Sequence, residues 1–179
     1  NAAGVQMYGP AGGAIWSAPS VDTKRGLVYA ATGNGYADPA QPMTDAVIAF
    51  DQKTGKVVWH YQVLAGDQWT MGCKAENPDN PGCPAVLGPD YDFSATPIIA
   101  NDGRRDLIVI PQKSGIAFAL DPDRKGALVW QRQFGLPSGL GGQWGGAADA
   151  NYFYTGTNCF QSTPGGMTAI ELATGRIAW

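Results

Sequence analysis

AFDQKTGKVVW at residues 49–59, ALDPDRKGALVW at 119–130 and AIELATGRIAW at 169–179 are one phrase written three times. Each reads as an apolar strand, an acidic turn, a glycine, a second apolar strand and a closing tryptophan. Self-similarity at an interval of tens of residues marks a repeat architecture. The tryptophans stand 71 and 49 residues apart, which suits one four-stranded propeller blade per repeat, with an insertion in the first interval. Aspartate can hydrogen-bond its own turn backbone, and glycine supplies the positive φ that closes a hairpin loop of this length. The second copy carries one extra turn residue and lacks the Thr-Gly pair; the third has Glu171 for Asp and Arg176 for Lys. A small alanine heading each copy and a tryptophan ending it predict close stacking, a shallow surface on one blade against an aromatic plate on its neighbour.

Working outward, residues 15–34, 93–115 and 143–159 align with one another: an aromatic with small residues, a polar turn, then an apolar return strand. With the hairpins they predict an all-β fold, a partial β-propeller of about three four-stranded blades, at 14–64, 91–135 and 142–179. Residues 65–90 are the insertion, rich in Gly, Pro and Asn and too irregular for strands. The 25 Gly and 13 Pro argue against a helical domain, and 44% apolar residues exclude disorder. A net charge of −3 with no basic stripe argues against a nucleic-acid partner. No apolar run approaches the roughly 20 residues that span a bilayer. Three repeats do not close a ring of about four to eight blades, so the expectation is an internal segment of a larger protein, inactive and prone to associate by itself.

Cys73 and Cys83 lie within the insertion, where a local disulfide would offset the entropy of the excursion; a reduced pair is the other reading. A disulfide implies an oxidising compartment such as the periplasm. Cys159 is left over, and the single His60 follows Trp59 at a strand end, as a packing or surface residue.

The A-x-D-x-x-T-G-K-x-x-W hairpin, fully matched at 49–59, resembles the tryptophan-docking motif of the eight-bladed propellers of pyrroloquinoline quinone (PQQ)-dependent alcohol dehydrogenases. GPDYDFSATP and QKSG make the chain most similar to the polyvinyl-alcohol dehydrogenase branch of that family. The resemblance implies a site. Trp16 in AIWSAPSVD matches the tryptophan on which the PQQ ring lies. Asn34 in TGNGYADP matches the ligand of the catalytic calcium. Asp92 in GPDYDFSA matches the carboxylate regarded as catalytic base and metal ligand, with Asp90 a competing carboxylate beside it. Lys113 in PQKSG matches the basic residue near the quinone oxygens.

Chemistry supports each. A planar quinone needs a flat apolar floor, Ca²⁺ takes carboxylate and amide oxygens, alcohol oxidation needs a positioned base, and a cation can stabilise charge as the quinone is reduced. From the residues alone, Trp16 also reads as a core aromatic, Asn34 as a left-handed turn residue, Asp92 as a strand start and Lys113 as a solvated turn. If the resemblance holds, the four converge at one end of the blade stack. Ser94, a neutral hydroxyl where lanthanide-dependent relatives carry a second Asp, points to Ca²⁺.

The family's adjacent-cysteine disulfide, upstream glutamate ligand and upstream arginine have no counterpart here; the resemblance places them before Asn1. No C-x-x-C-H haem motif occurs, so any haem c would belong to another part of a full-length protein. The implied activity is hydride transfer from an alcohol, polymeric secondary alcohols included, to PQQ assisted by Ca²⁺, with a cytochrome c as electron acceptor. A second class is a non-enzymatic propeller scaffold for protein–protein interaction, similar to the lipoprotein of outer-membrane barrel assembly. A scaffold requires no ordered set of Trp, Asn, Asp and Lys at one end.

Overall fold

Short β-branched and aromatic runs, each bounded by Gly, Pro, Asn or Asp, become antiparallel strands. The computed structural model describes residues 4–73, 80–137, 141–158 and 164–179. Cys159 and its pairing lie outside them. A small ribbon pairs β1 (Ala11–Gly12) with β4 (Gly35–Ala37). The first sheet runs β2 (Ser20–Asp22), β3 (Leu27–Ala31), β5 (Ala46–Asp51) and β6 (Val57–Gln62). The second runs β7 (Ile98–Asn101), β8 (Asp106–Pro111), β9 (Ile116–Asp121) and β10 (Ala127–Gln133). The third holds β11 (Gly146–Ala148), β12 (Tyr152–Thr157) and β13 (Gly166–Glu171), with Ile177 bridging back to Ile170. Each of the three larger sheets is a meander in chain order, so their strands neighbour one another in the order they are threaded.

The middle sheet is covered on both faces, and side-chain alternation sorts its residues. Ile108, Ile110, Phe118 and Leu120 join Tyr29, Val47, Trp59 and Phe93 in one core. Leu107, Val109, Ala117 and Ala119 turn the other way, to Trp130, Phe153, Ile170 and Leu172. Strands β8 and β9 are therefore almost continuously apolar, as strands buried on both sides must be.

The repeated turns follow the expected chemistry. Asp51 Oδ1 accepts from the backbone of Lys53 and Thr54 and from the Thr54 hydroxyl, and Gly55 (φ +68°) closes the loop. In the second copy the extra residue makes a short 3₁₀ turn, Pro122–Arg124, capped by Asp121, with Lys125 and Gly126 both left-handed. Glu171 keeps the backbone pattern, its carbonyl accepting from Gly175 N, while its carboxylate takes the Thr174 hydroxyl.

Tryptophan stacking differs from the expectation in one respect. Ala49 and Ala119 are the cross-strand partners of Trp59 and Trp130 within the same hairpin. The shallow surface on the neighbouring blade is the turn glycine. A Cβ on Gly126 would lie 2.6 Å from the Trp59 ring, and one on Gly175 would lie 2.8 Å from Trp130. Trp130 Nε1 also donates to Leu172 O at 2.7 Å. Each turn glycine thus serves twice, for its positive φ and for its missing Cβ.

At the end of the sheets where these turns lie, Arg25 clamps the first two blades. It meets Asp22 and Asp106 at 2.9 Å each and Asp123 at 2.5 Å. At the opposite end, the start of β2, the end of β3, the start of β7, the end of β8 and the start of β11 come together, and there the chain leaves regular structure.

Candidate functional site

The meander topology brings four sequence-predicted residues to that second end. Trp16 precedes β2, Asn34 follows β3, Asp92 precedes β7 and Lys113 follows β8. All four line one cavity of about 670 Å³, with Tyr36, Trp69, Asp90 and Gln143 among its other walls. Two carboxylates of this cavity, Asp90 and Asp92, reach the same ammonium.

Asp92 is the hub. Its Oδ1 accepts from Asn34 N at 2.5 Å, its Oδ2 from Lys113 Nζ at 2.5 Å, and its carbonyl from Lys113 N at 3.2 Å. Lys113 Nζ also meets Asp90 Oδ1 at 3.2 Å and stands 5.4 Å from the Trp16 ring centroid. Burial works against the lysine's charge, but bonds to Asp92 and the charges of Asp92 and Asp90 outweigh it and hold its pKa above the ordinary value. Asp90 receives the weaker share of that cation. Burial, with the Asp92 charge adding to it, pushes Asp90 up to about 6.

The alternative roles of the four residues do not describe what is observed. Trp16 is 43% exposed and lines the cavity, and Trp144 stands edge-on to it with centroids 6.4 Å apart. Asn34 is absent from the left-handed residues among those described; Asp90 (φ +64°) and Trp144 (φ +69°) adopt that conformation instead. Lys113 is 6% exposed, so its turn is not solvated, and Asp92, also 6% exposed, stands ahead of β7 (Ile98–Asn101) rather than at its start.

Asn34 is suited to a hard cation. Its Nδ2 donates to Gly35 O and to Trp69 O, both at 2.7 Å. With both amide protons engaged there, Oδ1 is the amide atom left for the cavity. Asn34 Oδ1 and the Asp92 carboxylate are the two oxygen donors of the kind Ca²⁺ takes. Among the described residues no group of three or more His, Cys, Asp or Glu is arranged to hold a metal, so the rest of a shell of six to eight oxygens would come from a bound cofactor and other residues. Ser94 is buried, and its hydroxyl has no hydrogen-bond partner among the described residues.

Several contributors were not singled out from the sequence. A Cβ on Gly33 would collide with Asp92 Oδ1 and come within 3.2 Å of Trp16 Nε1; the TGNG run was the available signal. Asp45 directly precedes β5 with no exposure, at φ +47°, and neither carboxylate oxygen has a hydrogen-bond partner among the described residues. Burial first, and then the charges of Asp67, Asp92 and Asp90, push it up to about 9. Asp67 and Trp69 come from the insertion and dock beside Gly35. Later in the insertion Cys73 and Cys83 form a disulfide with Cα atoms 5.5 Å apart.

The family model described as glucose/ethanol/alcohol dehydrogenase, β-propeller domain (PQQ), matches residues 2–133. The polyvinylalcohol dehydrogenase of Sphingopyxis sp. (strain 113P3) is 42% identical over 187 aligned residues, covering 100% of this chain and 28% of that protein. That of Pseudomonas sp. is 43% identical over 185, again covering 100% and 28%. The chain therefore spans little more than a quarter of the length of these relatives. Among solved structures, quinohemoprotein alcohol dehydrogenase ADHIIG from Pseudomonas putida HK5 superposes with a TM-score of 0.65 at 16% identity, covering 94% of this chain and 35% of that one. A europium-containing methanol dehydrogenase superposes with a TM-score of 0.64 at 17% identity, covering 94% and 39%. These likenesses establish the fold as part of a β-propeller.

Proposed function

This chain belongs to the PQQ glucose/ethanol/alcohol dehydrogenase β-propeller family, and on that premise we propose that it carries the quinone-side half of an alcohol dehydrogenase site. The substrate class is an alcohol, with polymeric secondary alcohols favoured by the similarity to two polyvinylalcohol dehydrogenases. The observation that carries this reading is the single cavity lined by Trp16, Asn34, Asp92 and Lys113 together; a scaffold would have no use for that set.

PQQ and Ca²⁺, when bound, supply a hydride acceptor and a Lewis acid that polarises it. Trp16 offers the flat apolar surface for the ring, and Asn34 Oδ1 and Asp92 are the metal ligands from this chain. Asp92 is the base that accepts the substrate hydroxyl proton as hydride leaves carbon. Its carboxylate is aimed by the Asn34 N–H and by Lys113, so little reorganisation is needed when the proton arrives. Lys113 balances negative charge that develops during reduction.

Neutral Ser94 leaves the site with Asp92 as its metal-binding carboxylate from this chain, a charge suited to a divalent ion; a further carboxylate would favour a trivalent one. Electrons leave to a cytochrome c, and the Cys73–Cys83 disulfide supports a periplasmic location. Among the described residues no helix is long and apolar enough to cross a membrane.

The test is to load the full-length protein that carries this segment with PQQ and either Ca²⁺ or La³⁺ and follow cytochrome c reduction with small and polymeric secondary alcohols. Activity is expected with Ca²⁺, and Asp92→Asn should lower kcat by about 10³-fold. Full activity of that variant would overturn the assignment of the base, and activity with La³⁺ alone would overturn that of the metal.

A further inference from the structure

Asp92 and Asn34 sit on different loops, and one residue from a third segment hydrogen-bonds to a neighbour of each, to Asp90 and Tyr91 ahead of Asp92 and to Gly35 after Asn34. Asp67 is 1% exposed. Its Oδ2 accepts from Tyr91 N at 2.7 Å and its Oδ1 from Asp90 N at 3.2 Å. Two consecutive amides converging on one anion, next to a left-handed residue at Asp90, form the backbone nest that binds negative charge. Asp92 follows directly. On the other side, the Asp67 carbonyl accepts from Gly35 N at 2.8 Å, and Trp69 N donates to Gly35 O at 2.8 Å. Trp69 O in turn takes the Asn34 amide at 2.7 Å. A strip of three residues, 67–69, therefore sets the position of Asn34 and of the loop that bears Asp92.

Gly88 completes the arrangement. Its N–H donates to Gln68 O at 2.9 Å, and a Cβ there would collide with Asp67 Oδ1 and lie 2.7 Å from Asp67 Cα. Only glycine allows the loop to approach closely enough for the nest to close. Burying a carboxylate is costly unless hydrogen bonds compensate it, and burial does push the Asp67 pKa up, against the pull of the Tyr91 and Asp90 amides. A loop needing only to be closed could use a neutral residue.

We propose that Asp67 is a positioning residue of the site, which holds the 90–92 loop through its two carboxylate oxygens and fixes Asp92 relative to Asn34. The effect on catalysis rests on the reading of Asp92 as base; the effect on the loop does not. Asn at position 67 would keep the size but turn an NH₂ toward one of the two amides, so one bond is lost and the loop shifts. A displacement of about 1 Å at a reacting group can cost roughly 100-fold in rate.

The experiment uses the full-length protein that carries this segment, loaded with PQQ and Ca²⁺, comparing wild type, Asp67→Asn and Gly88→Ala by steady-state kinetics and by amide hydrogen exchange. Expected for Asp67→Asn is a kcat lower by about 10–100-fold with KM little changed. The Asp90 and Tyr91 amides should exchange much faster, while the β8 and β9 core amides keep wild-type rates. Gly88→Ala should reproduce both effects, pushing from the other side. Unchanged exchange at Asp90 and Tyr91 would show that Asp67 does not hold the loop. Fast exchange with wild-type kcat would show that the loop does not position the base, and faster exchange throughout the core would reduce the effect to general destabilisation; each outcome overturns the proposal. Failure of the underlying reading is seen separately, as a wild-type protein inert toward alcohols or an Asp92→Asn variant with normal kcat, and the exchange data still decide whether Asp67 orders the loop.

Discussion

Asp45 shows what a single side chain does when burial leaves its carboxylate without a hydrogen-bond partner among the described residues. Its carboxyl is held well above the ordinary 3.8, at about 9, by burial and three neighbouring acids. The folded protein therefore keeps a proton that the unfolded chain releases once the pH exceeds about 4. Stability should fall as pH rises from about 4 toward about 9, by at most about 1.4 kcal/mol per pH unit. Asp45→Asn removes the titration at constant size. Urea melts between pH 5 and 8 should show that slope in the wild type and a flatter profile in the variant. Lys113 behaves in the opposite sense, its charge secured by Asp92 and Asp90. The TDAVIAF run places an acid directly ahead of a buried strand, yet nothing in it says that both carboxylate oxygens will be enclosed.

At the scale of elements, the insertion is a wall of the site with its own fastening. Trp69, Thr70 and Met71 line the cavity, and the Cys73–Cys83 bridge begins two residues later. The bridge closes a short loop, for which about 2–3 kcal/mol of stabilisation is ordinary. Replacing both cysteines by serine should loosen this wall and leave the blades intact. The expected result is a KM for alcohol raised several-fold with a smaller change in kcat, and a cooperative melt of the blades that is retained. Equal loss of the core's own cooperativity would show that the insertion is integral to the blades. The irregular stretch was legible as an insertion from its Gly, Pro and Asn content. Its docking against Gly35 was not, because that contact is made by backbone groups 32–34 residues away in the chain.

For the molecule as a whole, blade contact depends on tryptophan over glycine. Gly126→Ala adds a methyl 2.6 Å from the Trp59 ring at a position with φ +73°, so overpacking adds to backbone strain. The expected cost is about 2–4 kcal/mol in urea denaturation. Gly103→Ala, at φ +86° with nothing within 4 Å of the new atom, carries the strain alone and should cost about 1–2 kcal/mol. Equal losses for the two variants would mean that stacking on Trp59 contributes nothing beyond turn geometry.

The repeat period, the strand alternation and the turn residues determined by themselves that the chain is all-β and built of successive hairpin-based blades, and the family resemblance of the sequence motifs picked out Trp16, Asn34, Asp92 and Lys113 beside strand ends. Those features follow from short-range rules: side chains alternate along a strand, aspartate caps a turn, and glycine takes positive φ. Asp67 between Asn34's loop and Asp92's loop, Gly33 against Asp92, the enclosed Asp45, and the turn glycines beneath the tryptophans were decided only in three dimensions. Each of those contacts joins segments distant along the chain, and whether a carboxylate there is capped, paired or left neutral depends on which backbone groups the packing brings to it.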